Sequence, residues 1–283
     1  MDRNAWIAAI GSLAFSALAQ AAPFAMITDV KGDAFAVEGG KPRKLALLSY
    51  IESPVEMKVE AATKIGVTYF GNGVQYSFDG PARVALEAQA PRVLEGKSAE
   101  SKKVGPEKAI GSGGLSNDQW RRLQQATVVM RTVKSSFSVV GPDKATVLAR
   151  EPEFEWTSAA DAKRYRVVIY DADNRIVHEA TTDRTVIQPG ASAKFEAGKK
   201  YRWKVDALGV AKPVSASGSF TMAEDALRDR MSGSRPGPGA ELAARLVYVT
   251  TLEADGYQHD ARAEWKVLAR EYPDVPEINQ RSR

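Results

Sequence analysis

The sequence predicts a mainly β chain of about three modules, two built from sheets and the last an α-helical hairpin, and three observations carry that expectation. Residues 22–104 and 135–222 consist of short runs in which apolar and polar residues alternate, broken by Gly, Pro and Asn. A period of two is that of a strand with one buried and one wet face. After residue 239 the spacing of apolar residues lengthens to three and four around a single break at Gly256, which is helical.

The bulk numbers narrow the class further. At 283 residues with 44% hydrophobic and 26% charged content, the chain has the composition of a folded globular protein. A net charge of +4 is mild; it favours weak attraction to anionic surfaces, and nucleic acid is not expected as a partner. The opening residues carry Arg3, an apolar run from Ala5 to Leu18 and an A-x-A setting at Ala19 and Ala21. That order is a secretory signal peptide over 1–21, cleaved after Ala21, because the run is short for a bilayer span. No transmembrane anchor is then expected after processing, and the location is periplasmic or secreted. There is no cysteine, so disulfides, a thiol nucleophile, thiolate metal sites and a lipidated N-terminal Cys are excluded together.

In residues 22–104, Phe35 and Val37 share a face before the Gly39–Gly40 turn, and Leu45 and Leu47 share one after it. Val67 and Tyr69 alternate before Asn72–Gly73, and Val74, Tyr76 and Phe78 after it; Asn-Gly between such runs predicts a tight hairpin with positive φ at both central residues. Val84 and Leu86 begin another strand after Gly80–Pro81. This succession, VKGDAFAV, a Gly turn, KLALL and a hairpin ending YSFDGPARVAL, resembles the FecR-like extracytoplasmic domain. The resemblance implies a small all-β domain and, through the family, a role in passing an outer-membrane signal to a sigma factor. Such a regulator requires a cytoplasmic segment and an uncleaved N-terminus.

Residues 105–134 read as a linker and a connecting helix. Ser116 and Gln119 have capping-box spacing, and Trp120, Leu123 and Met130 follow at helical spacing, so the helix is expected to dock its Trp on a neighbour. In residues 135–222 the alternation is clean: Phe154 and Trp156, then Tyr165, Val167 and Ile169, then Tyr201, Trp203, Val205 and Ala207 are expected to face a core. With Phe195 and Gly198 placed before Tyr201, the segment resembles a fibronectin type III sandwich, whose strands B, C and F these runs would be. The resemblance implies a tyrosine corner at Tyr201, its hydroxyl bonded to upstream backbone, and it is silent on ligand.

A short helix and a Gly-Pro-Ser hinge fill residues 223–239, and residues 240–283 read as two helices broken at Gly256 and closed by Pro273. Gly256, Ala261, Trp265 and Pro273 have the spacing of a tetratricopeptide repeat, with Leu268 in a place usually held by a small residue. A single such repeat cannot bury its own apolar faces, so the hairpin must dock on its own sandwich or on a partner.

Motifs for chemistry are sparse. Of two histidines, His178 opens HEATT but lacks the second His of a zinc-protease helix, and His259 sits at a helical turn as a capping or solvent residue. Gly96-Lys97-Ser98 ends like a phosphate loop, yet Pro91 stands where its first Gly belongs. Asp171 to Asn174 offers alternating carboxylates without the rest of a calcium loop and reads as a strand-connecting turn. No catalytic residue, cofactor or metal is expected.

One surface stands out. If the strands of 164–170 and 200–208 are neighbours, their outward faces carry Arg166, Val168 and Tyr170 beside Arg202, Lys204 and Asp206. The candidate binding face is therefore Arg166, Tyr170, Arg202 and Lys204, basic and partly aromatic, suited to an acidic protein surface or an anionic cell-wall polymer. The same residues could instead form a solvated face or lie under the tail hairpin. The expectation for the whole chain is a non-enzymatic binding or scaffold protein of the bacterial envelope with a protein partner; a cell-wall glycan binder and a FecR-type regulator are the alternatives.

Overall fold

The first alternating stretch folds into ten strands in the computed structural model, which describes residues 22–105, 115–129, 137–237 and 239–282. The expected signal peptide, residues 106–114 of the linker and Met130 lie outside the described residues. The strands are β1 (Ala25–Lys31), β2 (Ala34–Glu38), β3 (Lys41–Lys44), β4 (Tyr50–Ile51), β5 (Val55–Val59), β6 (Lys64–Tyr69), β7 (Val74–Asp79), β8 (Ala82–Leu86), β9 (Pro91–Glu95) and β10 (Glu100–Lys103). They form two five-stranded sheets, β10-β7-β6-β1-β4 and β3-β2-β5-β8-β9, closed over Ile27, Ile51, Met57, Ile65, Val67, Phe78, Val84 and Leu86.

One local expectation is sharpened and another corrected here. Phe35 and Val37 do share a face, and it is the one opposite this core, which Ala34 and Ala36 enter. Ala36 pairs with the buried Met57 of β5, so a small residue on one strand is matched by a long one on the next. The hairpin at Asn72–Gly73 exists, but only Gly73 has positive φ (66°), and the connection runs from Phe70 to Gly73. Phe70 is drawn out of the strand into a second core, while the Asn72 carboxamide accepts the Val74 N–H (2.9 Å) and closes the turn.

Helix α1 (Asn117–Val129) begins with the expected reciprocal cap. The Ser116 N–H donates to Gln119 Oε1 (2.8 Å) and the Gln119 N–H to Ser116 Oγ (3.2 Å). Eight strands follow: β11 (Val139–Gly141), β12 (Ala145–Val147), β13 (Phe154–Trp156), β14 (Arg164–Tyr170), β15 (Ile176–Thr182), β16 (Val186–Ile187), β17 (Lys200–Leu208) and β18 (Ser215–Met222). A three-stranded sheet, β11-β13-β16, packs on a five-stranded one, β12-β18-β17-β14-β15. The aromatics lie between them: Phe154, Trp156, Tyr165, Tyr201 and Trp203 are buried, with Phe154 and Trp203 edge-on at 5.2 Å. The Tyr201 hydroxyl accepts the Glu196 N–H (2.8 Å), tying the start of β17 to the chain before it. Between β11 and β12 the chain changes sheets at Gly141–Pro142, and Trp203 Nε1 donates to the Pro142 carbonyl (2.8 Å) at that crossing.

The remaining elements are helices α2 (Asp225–Gly233), α3 (Leu242–Asp255), α4 (Gln258–Glu271) and α5 (Pro276–Arg281). Gly256, at φ 90°, ends α3 in the left-handed conformation that a side chain resists. The α3–α4 hairpin buries Leu246, Val249, Leu252, Ala261, Trp265 and Leu268 in one cluster with Met26, Leu48 and Phe70 of the first β-unit, Trp120 and Leu123 of α1, and Leu148 and Ala223 of the second sandwich. The docking surface that a lone hairpin needs is thus supplied by the chain's own β-units. Trp120 meets Tyr50 edge-on at 5.0 Å. Helix α5 was not among the expected elements; its Ile278 is fully buried, and its Arg281 reaches the buried Glu253 carboxylate (3.2 Å) beneath the Trp265 ring.

Candidate functional site

Strands β14 and β17 are antiparallel neighbours with Arg166 opposite Asp206, Val168 opposite Lys204 and Tyr170 opposite Arg202. Because the odd-numbered residues of both strands fill the core, the even-numbered ones all project outward. The structure therefore brings Arg166, Tyr170, Arg202 and Lys204 onto one face, with Tyr170 half-buried and the three cations exposed.

Their charges are partly spoken for. Arg166 pairs with Glu179 of β15 (2.7 Å), and Lys204 with Asp206 (2.7 Å). The hydrogen bond from Arg166 holds the Glu179 carboxyl below its ordinary range, and the same bond pushes the guanidinium up. Arg202 donates to the Asn174 carboxamide, a neutral partner. Val168, though it points outward, is only 2% exposed, roofed by these long side chains. The face is an ion-paired layer with surplus positive charge, less bare than a list of its residues suggests.

The tail hairpin does not cover it. The polar contacts of α4 go to the other side of the sandwich: the Asp260 carboxylate accepts the N–H groups of Leu148 (3.0 Å) and Ala149 (2.9 Å), Arg262 donates to the Val140 carbonyl (2.7 Å), and Lys266 binds Glu153 (2.9 Å) and Glu155 (2.8 Å). Beside the open face runs a groove of about 420 Å³ lined by Tyr170, Arg202, Lys204, Lys144, Ser217 and Ser219. Gly218 lets β18 sit tight against the chain crossing, since a Cβ there would lie 2.6 Å from Trp203 Nε1 and 2.8 Å from the Pro142 carbonyl oxygen.

A second polar region, which sequence reasoning missed, lies between α4 and the sandwich, a cavity of about 270 Å³ bordered by His259, Asp260, Arg262, Lys266, Glu153 and Glu155. Burial pulls the His259 pKa down to about 4, helped by Arg262, and pushes Asp260 up to about 6 against the opposing pull of its two backbone donors. His259 is thus half-buried beside the sandwich, where a capping or solvent position was expected. The only hint in sequence was an acid in the first turn of a helix; the amides that donate to it lie over a hundred positions away. The bonds from Asp260, Arg262 and Lys266 to the backbone and carboxylates of the sandwich fasten the hairpin to it, while the buried Arg262 Nε has no hydrogen-bond partner among the described residues.

The other sequence motifs resolve into local structure. Asp171 Oδ1 accepts the N–H groups of Asp173 and Arg175 (both 2.9 Å) and Asn174 has φ 63°, so this stretch is the turn between β14 and β15. Gly96 (φ 105°) turns the chain between β9 and β10, and His178 lies on the edge strand β15. Among the described residues no group of three or more His, Asp or Glu could hold a metal ion, and no helix is long and apolar enough to cross a membrane. The chain gives no match to any family model and no significant match to a curated protein.

Proposed function

We propose that this chain is a non-enzymatic binding protein of the bacterial cell envelope that holds a protein partner through the outer face of its five-stranded sheet. One observation carries the reading: the apolar faces of the helical hairpin are used up inside the chain, while Tyr170, Arg202 and Lys204 remain open beside a groove. An envelope location rests on the signal-peptide pattern of residues 1–21 and on the resemblance of the first β-unit to FecR-like domains. The two-sheet arrangement and the Tyr201–Glu196 bond support reading the second unit as fibronectin type III-like, a frame on which many binding surfaces are built. A glycan-binding role is less well supported, because sugar rings stack on exposed aromatics and Trp156 and Trp203 are 2% and 1% exposed.

The test is a photo-crosslinking residue at Tyr170 in living cells, with adducts identified by mass spectrometry. A discrete protein adduct supports the proposal and names the partner. A ladder of glycan adducts replaces it with wall binding, and no adduct above an uncrosslinked control removes this face as the site.

A further inference from the structure

Strand edges expose unpaired N–H and C=O groups, and folded proteins blunt them with charge, Pro, bulges or brevity. Nearly every sheet edge among the described residues is treated in this way. β3 reads KPRK and β10 reads ESKK; β9 starts at Pro91 and pairs through a bulge; β4 and β16 have two residues each, and β11 and β12 three each. β1 is bulged after Ile27 and carries Asp29 and Lys31 beyond it. β15 is bulged and carries Glu179 and His178.

One stretch departs from the pattern. β12 pairs with β18 only at Phe220–Met222, because the chain leaves for the other sheet at Gly141–Pro142. Among the described residues no strand pairs with Ser215–Ser219 on the side away from β17. The Met222 N–H donates to Lys199 and the Val214 carbonyl accepts from Ala207, so even-numbered residues bond to β17 and odd-numbered ones point outward. The Ser219 N–H meets Asp143 Oδ1 (3.3 Å), which leaves Ser215 and Ser217 as the open rungs. This edge carries no charge, no bulge and no Pro within Ser215–Ser219.

We infer that an extended acidic segment of a partner protein adds to the sheet as a new strand along Ser215–Ser219, in the place that β12 vacates at the sheet switch. Backbone bonds to Ser215 and Ser217 supply affinity, as in other strand-addition complexes. The charge of the segment follows from what borders the edge: the groove is lined by Lys144, Arg202 and Lys204 against Asp143, and with Lys204 paired to Asp206 a net positive charge remains. Every second side chain of an added strand stands on the outer face, above the small Ser217 and Ser219, within the field of those cations. The inference rests on the outer sheet face being the binding face, and it adds the partner's conformation and charge.

The experiment uses the full chain and, as probe, a short fluorescent peptide alternating Glu with Val, read by anisotropy and by amide hydrogen exchange. Ser217→Pro is the decisive variant. It removes an outward N–H without touching the β17 ladder, so its unfolding midpoint should stay near that of the unaltered chain, whereas Ala216→Pro should break the ladder and lower it. The expected result is salt-sensitive binding with new protection at Ser215 and Ser217, weakened about tenfold or more in Ser217→Pro. Charge reversal by Arg202→Glu should also weaken it, and a Lys-Val peptide should not bind. Binding that persists undiminished in Ser217→Pro overturns strand addition while leaving the sheet face as a charged docking surface. Absence of binding to the unaltered chain overturns strand addition as well, and the Tyr170 crosslink then judges the face independently.

Discussion

Replacing Asp260 by Asn should unmask an acid sensitivity that the unaltered protein conceals. His259 and Asp260 are adjacent in the first turn of α4, half-buried against the sandwich. The folded state holds the His259 pKa near 4 where the free side chain titrates near 6.5, so between those values the unfolded chain binds the extra proton. Stability from this group is full above pH 6.5 and is lost as the pH falls to 4, by about 3 kcal/mol in all. Asp260 does the reverse: it is raised from 3.8 to about 6, the folded state binds its proton first, and its contribution is full below pH 3.8 and lost as the pH rises to 6, again by about 3 kcal/mol. The two slopes nearly cancel across the same window. Asp260→Asn removes one of them, and His259→Gln removes the other. Guanidinium unfolding followed by Trp fluorescence, run on the unaltered protein and both variants from pH 7 down to 4, isolates the pair, because all other carboxylates cancel in the differences. Relative to the unaltered protein, Asp260→Asn should lose about 3 kcal/mol on acidification and His259→Gln should gain about as much. Flat differences across that window would refute the assignment of burial as the cause.

Further outcomes follow from the packing. Arg281→Met strands the Glu253 carboxylate, 2% exposed and already raised in pKa by burial, and should cost about 3–5 kcal/mol, more at neutral than at acidic pH; adding Glu253→Gln should recover much of it, as chemical denaturation would show. Trp265→Ala empties the centre of the hairpin core and should cost about 3–5 kcal/mol, read as a lowered unfolding midpoint. Tyr201→Phe deletes one acceptor for the Glu196 N–H and should cost only about 1–2 kcal/mol by the same assay. Arg166→Ala breaks an exposed pair with Glu179 and should leave the melting curve nearly unchanged.

Local periodicity was readable where one residue type could occupy only one side. Tyr165, Val167 and Ile169 against Arg164, Arg166 and, beyond β14, the turn at Asp171 leave no doubt about which face is wet, and the core between the two sheets followed. The Ser116–Gln119 cap and the Gly256 break were equally visible, because both act within a few residues. Where both faces were apolar the pattern lost its meaning. Ala34-Phe35-Ala36-Val37 supports either register, and packing chose the alanines for the inside. Phe70 left its strand because a core assembled from α1, α3, α4, α5 and parts of both β-units could receive it.

The candidate face was partly legible. Sequence placed four outward residues on two strands; only the β14–β17 register made them neighbours, and only the meeting of β15 with β14 supplied Glu179 to neutralise Arg166. Alone, then, the sequence determined those strands and helices whose apolar residues recur on one side, and which side that is, since periodicity is a property of consecutive residues. Which apolar sides meet, that the hairpin is spent between two β-units, and that one length of β18 is left unpaired were decided by tertiary structure, because those outcomes depend on contacts between residues far apart in the chain.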